Sequence, residues 1–122
     1  MEKHIEIGGK DYYFAPTRKI VKVIYNISPK YLQLHTGKSK PTSEDLATVY
    51  VDLLDRVDEI AHCLLVSYEG QEGITKKQSD EILKQMELEY GMLEAGYALI
   101  DLAMSVFTEG EQGSAKKKLI LK

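Results

Sequence analysis

Apolar and polar residues near the start of the chain are arranged as in a β-hairpin. Aliphatic residues alternate with polar ones in His4-Ile5-Glu6-Ile7, and Tyr12-Tyr13-Phe14 has high strand propensity. Gly8-Gly9 between them can adopt the positive φ angles of a two-residue turn. Because a two-stranded hairpin is marginally stable alone, we expect it to pack on the helices that follow.

The next segments have apolar residues at helical spacing. Residues 17–27 place three isoleucines and Val23 on one face, although the many β-branched residues leave a strand as the alternative. Ser28-Pro29 has the residue types of an N-cap followed by the first helical position, which predicts a short helix at 29–35. A polar loop, 36–42, follows.

The clearest helical periodicity lies in the middle of the chain. Thr42 or Ser43 can cap a long amphipathic helix that the apolar positions extend to about residue 69. Thr75 and Gln78 have the spacing of a capping box, which predicts a shorter helix over 75–90. The outer side of the long helix is expected to carry Asp52, Asp55, Arg56, Asp58, Glu59 and His62.

The last predicted helix, 92–107, is apolar around most of its circumference. Its polar residues Glu94, Asp101, Ser105 and Thr108 form one narrow stripe. Such a helix is buried on most sides, so it is either the central helix of the domain or is completed by another copy or a client. The second alternative predicts an oligomer or client interface made of Met92, Leu99, Ile100, Ala103, Val106 and Phe107.

These elements predict a mainly α fold with a small N-terminal β-hairpin packed on a bundle of about four to five helices. Residues 1–108 are expected to form one domain, and Gly110 and Gly113 predict that 109–122 is a flexible arm. The arm is either an unstructured tail or docks on a neighbouring copy as an edge strand or groove filler. Its docking residues would be Lys116, Lys117, Lys118, Leu119, Ile120 and Leu121.

Charge is distributed unevenly along the 122 residues, whose net charge is −3. Residues 1–40 carry eight Lys/Arg and three acids, 41–111 carry four and sixteen, and 112–122 carry four Lys and no acid. We expect the ends to neutralise the acidic middle, within one chain or between copies. The basic first third leaves a small helical DNA-binding regulator or antitoxin-like protein as the alternative function. Because no polar recognition helix follows a tight turn, nucleic acid is not the expected partner.

No residues have the spacing of a catalytic, cofactor or metal site, so we expect no enzymatic activity and no cofactor. His62 with Asp58 one turn earlier makes half a metal site at most. Cys63 lacks a histidine placed to activate it and is expected to be a packed small residue. The sequence has neither a signal-peptide pattern nor an apolar run of about 20 residues, so neither membrane insertion nor secretion is expected.

The order of elements resembles one known family. The hairpin "IEIGGKDYYF", the helix "IVKVIYNI", the long amphipathic helix, the small helix beginning "ITKKQSDEIL" and the final acidic-apolar helix are similar to those of tail assembly chaperones. These proteins belong to long-tailed, siphovirus-like bacteriophages of Gram-positive bacteria. The resemblance covers roughly residues 3–108 and consists of element order, with no invariant catalytic signature.

The resemblance implies a non-enzymatic role and a set of partners. A protein of this family self-associates, as a homo-oligomer or an open spiral. It binds the tape measure protein, a long aggregation-prone helical chain, and keeps it soluble while the tail tube protein polymerises around it. The resemblance further implies a location in the host cytoplasm and absence from the mature virion.

Overall fold

The computed structural model describes residues 2–37 and 40–120, and the side chains of residue 35 and of residues 108–120 lie outside this description. Within these ranges the chain forms one antiparallel hairpin and six helices. The predicted mainly α architecture with a hairpin at its N-terminus is confirmed. The elements are β1 (Lys3–Ile7), β2 (Lys10–Phe14), α1 (Lys19–Ile27), α2 (Pro29–Thr36), α3 (Ser43–Asp55), α4 (Val57–Val66), α5 (Lys76–Tyr90) and α6 (Met92–Ile120).

The hairpin has the two-residue turn that the glycine pair predicts. Gly8 and Gly9 have φ angles of 59° and 79°, and the register places Ile7 opposite Lys10. Opposed residues share a face, so one face of the hairpin carries most of its apolar side chains. Ile7 and Phe14 on this face are fully buried, which attaches the hairpin to the helices.

One glutamine closes the outer edge of β2. The backbone N–H of Tyr13 donates to Gln71 Oε1 at 3.0 Å, and Gln71 Nε2 donates to the Tyr13 carbonyl at 2.8 Å. The same amide nitrogen donates to the Leu65 carbonyl at 2.8 Å. The Tyr13 ring stacks on both His4 and Tyr68, with centroid distances of 5.0 and 4.5 Å. Gln71 therefore occupies the position of a neighbouring strand and fixes the hairpin to the end of α4.

The predicted long helix is divided at Arg56, which is why the bundle has six helices rather than four or five. Arg56 has φ −123° and ψ 31° and separates α3 from α4, and its guanidinium pairs with Glu59. The bend lets α3 pack on α2 while α4 packs on β2, α1 and α5. Neither Gly nor Pro marks the position in the sequence.

The core lies between α4 and α6, which contact each other and also α1, α3 and α5. A Cβ atom on Gly96 would lie 2.8 Å from Leu54 Cδ2, so α3 and α6 approach closely at this glycine. Both central helices are therefore covered on several sides. Their buried apolar residues are Ile60, Ala61, Leu64 and Leu65 of α4, and Ala95, Leu99, Ile100, Leu102 and Ala103 of α6.

Two capping boxes set the starts of α3 and α5. The Thr42 hydroxyl accepts from the Asp45 backbone N–H, and the Asp45 carboxylate accepts from the Thr42 N–H, both at 3.0 Å. Thr75 and Gln78 make the same reciprocal pair, as the sequence predicts. The backbone hydrogen bond from Thr42 and the ammonium of Lys30 lower the pKa of Asp45.

Ser28 and Asp52 depart from the predicted roles of cap and outward charge. The hydroxyl of Ser28 is fully buried and donates to Asp52 Oδ2 at 3.1 Å, instead of capping α2. Asp52 is half-buried and joins the α1–α2 junction to α3. Its predicted place on the solvent side of the long helix is therefore wrong, because the neighbouring helix junction covers it. Asp55 is exposed as predicted.

Helix α6 continues to Ile120, so its backbone includes most of the segment predicted to form an arm. Among the described side chains, the packing of α6 on the core ends at Phe107. The side chains of 109–122 lie outside the described residues. The predicted mobility of this segment and the predicted docking of residues 116–121 therefore stay predictions.

We expect Gln71→Ala to destabilise the fold by about 1–3 kcal/mol, because the buried edge of β2 loses its partner at Tyr13. Gln33→Ala, an exposed glutamine on α2, should change the free energy of unfolding by less than about 0.5 kcal/mol. Urea unfolding followed by circular dichroism measures both. Equal effects of the two substitutions would show that the Gln71 contacts contribute nothing.

Candidate functional site

The described residues offer little for catalysis or metal binding. They contain no group of three or more His, Cys, Asp or Glu side chains placed to hold a metal ion. Asp58, half of the weak metal pattern with His62, instead accepts from Lys76 Nζ at 2.9 Å. Burial raises the pKa of the Cys63 thiol, which packs beside the core as predicted. Within the described part of the chain, no helix has the length and apolarity needed to cross a membrane.

Three of the predicted interface residues belong to the chain's own core. Leu99, Ile100 and Ala103 each have an exposed fraction of 0%. They are enclosed because α6 packs on α1, α3, α4 and α5 at once. Of the two alternatives for this helix, the structure supports the central helix of a single domain. The prediction that these three residues form an intermolecular interface is therefore wrong for the folded chain.

The other three predicted interface residues lie at the two ends of the described part of α6. Val106 and Phe107 are half-buried against the core. The Phe107 ring lies 5.7 Å from that of Tyr25 and 5.1 Å from that of Tyr31, the second contact edge-on. Through these ring contacts, Phe107 packs α6 against α1 and α2. Met92, by contrast, is 68% exposed.

Met92 belongs to a group of exposed apolar residues around the turn between α5 and α6, which we call the apolar turn surface: Leu88, Met92, Leu93 and Tyr97. Gly91, with φ 96°, forms the turn. Leu93 and Tyr97 are one helical turn apart, so they lie on the same side of α6. Exposed large apolar side chains that lie close together are typical of interaction sites. Of these four residues only Met92 was predicted from the sequence, although the Met92-Leu93 pair directly after Gly91 was a visible signal.

The apolar turn surface continues towards α3. The ring of Tyr97 lies 6.3 Å from that of Tyr50, whose hydroxyl donates to Asp101 Oδ1 at 3.2 Å. Burial and the Asp101 carboxylate raise the pKa of Tyr50, so the hydroxyl stays protonated. Val51, next along α3, is 64% exposed. The apolar surface therefore has a hydrogen-bonded support on a second helix.

A groove runs between β1 and α6, which we call the β1–α6 groove. Its first part, about 300 Å³, lies beside His4, Ile5 and Glu6 and is bounded by α5 and α6. A second part, about 430 Å³, continues from Ala98 to Ser105 along α6. The polar stripe of α6 predicted from the sequence lines this groove: Glu94, Asp101 and Ser105.

Comparison with known proteins adds no relative. No family model matches the chain, and neither a curated protein nor a solved structure matches it significantly. Function is therefore inferred from the described surfaces and from the resemblance in element order.

Leu99→Ala should lower the free energy of unfolding by about 2–5 kcal/mol, because it leaves a cavity in the core. Leu93→Ala, on the same helix but 59% exposed, should cost less than about 1 kcal/mol. Chemical unfolding at a concentration where wild-type chain is monomeric measures both. A small effect of Leu99→Ala under these conditions would return Leu99 to an intermolecular role.

Proposed function

We propose that this protein is a non-enzymatic tail assembly chaperone of a siphovirus-like bacteriophage. It self-associates and coats the tape measure protein, keeping that client soluble in the host cytoplasm while tail tube subunits assemble around it. It leaves before the virion is mature. The observation that carries the proposal is the apolar turn surface, which exposes large apolar side chains although the core is fully supplied from within the chain.

The chemistry of this surface suits a helical client. An amphipathic helix binds by placing its apolar face against apolar side chains of a partner. Met92 is unbranched and adapts its shape, which suits a client that presents many different apolar segments. Tyr97 supplies a large ring with a polar tip, as is common in binding surfaces.

The acidic residues of α3 and α4 suit the outside of a coat. Asp55 is exposed. Asp58 and Glu59 pair with the side chains of Lys76 and Arg56 and remain partly accessible. Net negative charge on the outer surface keeps protein assemblies apart from one another. A client much longer than one chaperone requires many copies, and a head-to-tail contact that does not close would arrange them along it.

Co-expression with the tape measure protein tests this function. Wild-type chain should raise the soluble yield of the client several-fold, and the double substitution Met92→Ser with Leu93→Ser should remove most of that gain. Leu32→Ser, which removes a 41% exposed leucine from α2, is the matched control and should retain it. Circular dichroism should show the same helicity for wild type and for both variants.

The proposed function fails if wild-type chain leaves the client insoluble, or if the control substitution is as damaging as the double one. Charge reversal at Asp55, which lies on the proposed outer side, should leave the yield unchanged. Salt-sensitive binding of duplex DNA by the purified chain would instead favour the DNA-binding regulator.

A further inference from the structure

The two edges of the hairpin present different backbone groups to their surroundings. In a hairpin with a two-residue turn, the two residues of the pair next to the turn are hydrogen-bonded to each other. The next pair is not, and its backbone N–H and carbonyl groups point away from the hairpin; the two kinds of pair then alternate. With Gly8-Gly9 as the turn, the outward-pointing residues are Glu6 and His4 on β1, and Asp11 and Tyr13 on β2. These groups are the ones that an additional strand would bind.

Among the residues that the structure describes at the end of the hairpin away from the turn, only β2 has its outward backbone groups hydrogen-bonded to the rest of the protein. Gln71 satisfies both the N–H and the carbonyl of Tyr13 on β2. On β1, the Tyr90 hydroxyl donates to the Glu6 carbonyl at 2.7 Å. The outward N–H and carbonyl of His4 have no protein partner among the described residues. The edge of β1 is therefore available for pairing at His4, beside the groove.

The β1–α6 groove provides room for a strand at this edge. A paired strand lies about 4.8 Å from its neighbour, and its side chains need space above and below the sheet. The facing wall of α6 has the small residues Ala95 and Ala98 at this place. The groove then continues beside Leu102, so aliphatic side chains of an incoming strand would meet apolar surface.

Charge indicates which segment fits. The groove is lined by four carboxylates, those of Glu2, Glu6, Glu94 and Asp101, and by a single lysine, Lys3. Residues 112–122 of the same chain carry four lysines, no acid and the aliphatic run Leu119-Ile120-Leu121. This basic-apolar segment is complementary to the groove in both charge and apolarity.

We propose that the β1–α6 groove binds residues 112–122 of a second copy, as an extended strand added to the outer edge of β1. Because side chains of a strand alternate between its two faces, one face carries Lys117, Leu119 and Leu121 and the other Lys116, Lys118 and Ile120. The face that meets α6 places its lysines near the groove carboxylates and its aliphatic side chains against the helix. This proposal rests on the self-association in the proposed function and is independent of the client. It names the contact by which one copy holds the next, and repetition of that contact gives an open chain of copies.

We assign the segment to a second copy, in keeping with the self-association in the proposed function. Helix α6 itself forms the groove wall and then continues to Ile120. Thirteen helical residues after Phe107 extend the backbone by about 20 Å along the helix axis, past Ser105, the last groove residue of α6. Gly110 and Gly113 weaken this helical end, because glycine has a low helix propensity. Unwinding it to pair as a strand therefore costs little.

A fluorescent peptide of residues 112–122, added to the full-length chain, tests the groove directly by anisotropy. We expect saturable binding to wild type that His4→Pro weakens by about tenfold or more, because proline removes the outward N–H. Asp11→Pro is the matched control. It places proline at an outward position of the opposite edge and also removes the contact between His4 Nε2 and Asp11 Oδ1. It should bind the peptide like wild type.

A second pair of variants keeps the test decisive if proline unfolds the hairpin. Glu94→Lys, on the groove wall, should weaken peptide binding, and Glu69→Lys, exposed outside the groove, should not. A peptide with Lys116, Lys117 and Lys118 changed to Glu should not bind. Sedimentation of the full-length chains should show less self-association for Glu94→Lys than for Glu69→Lys.

Absence of saturable binding to wild type, or equal binding by both members of the folded matched pairs, would overturn the groove proposal. If the peptide fails to bind while the chain still self-associates and raises the client's soluble yield, the groove proposal is wrong and the proposed function stands. If the peptide binds as expected and the client stays insoluble, the groove proposal stands and the client assignment is wrong.

Discussion

Burial of α6 among four other helices is the constraint on which the rest of the structure depends. Leu99, Ile100 and Ala103 are fully enclosed by this packing. Burying one large aliphatic side chain contributes about 1.5–3 kcal/mol, and net stability is typically about 5–15 kcal/mol, so truncating Leu99 or Ile100 would remove a large part of it. The helices that enclose α6 also hold the hairpin, since β2 packs on α4 and β1 on α5.

The same helix also shapes both candidate binding surfaces. Its first turn carries Met92 and Leu93 on the apolar turn surface, and its polar stripe forms one wall of the groove beside β1. A helix that is buried on one side, exposed at its first turn on another and lines a groove with its polar stripe can be apolar over most of its circumference. This arrangement accounts for the unusual composition of residues 92–107.

The hairpin shows how one edge of a small sheet is protected while the other remains accessible. Exposed edges promote pairing between chains, and proteins usually cover them. Gln71 covers β2 with an amide that copies the hydrogen bonds of a strand. At His4 the corresponding groups of β1 face a groove. The difference between the edges is what makes specific strand addition plausible in place of uncontrolled association.

Local signals predicted a large part of the fold. The Gly8-Gly9 turn, the capping box at Thr75 and the apolar periodicity each depend on neighbours within a few residues, and each is found in the structure. The division at Arg56 and the burial of Asp52 were missed. They depend on helices distant in sequence, which bend a long segment to fit a compact core.

The candidate surfaces divide in the same way. The sequence by itself determined that 92–107 must be buried on most sides and that the last eleven residues are basic and aliphatic. Only the tertiary structure decided that the chain's own helices bury Leu99, while Leu93 stays outside. Hydropathy specifies that a side chain avoids water, but contacts between distant segments decide which neighbour covers it.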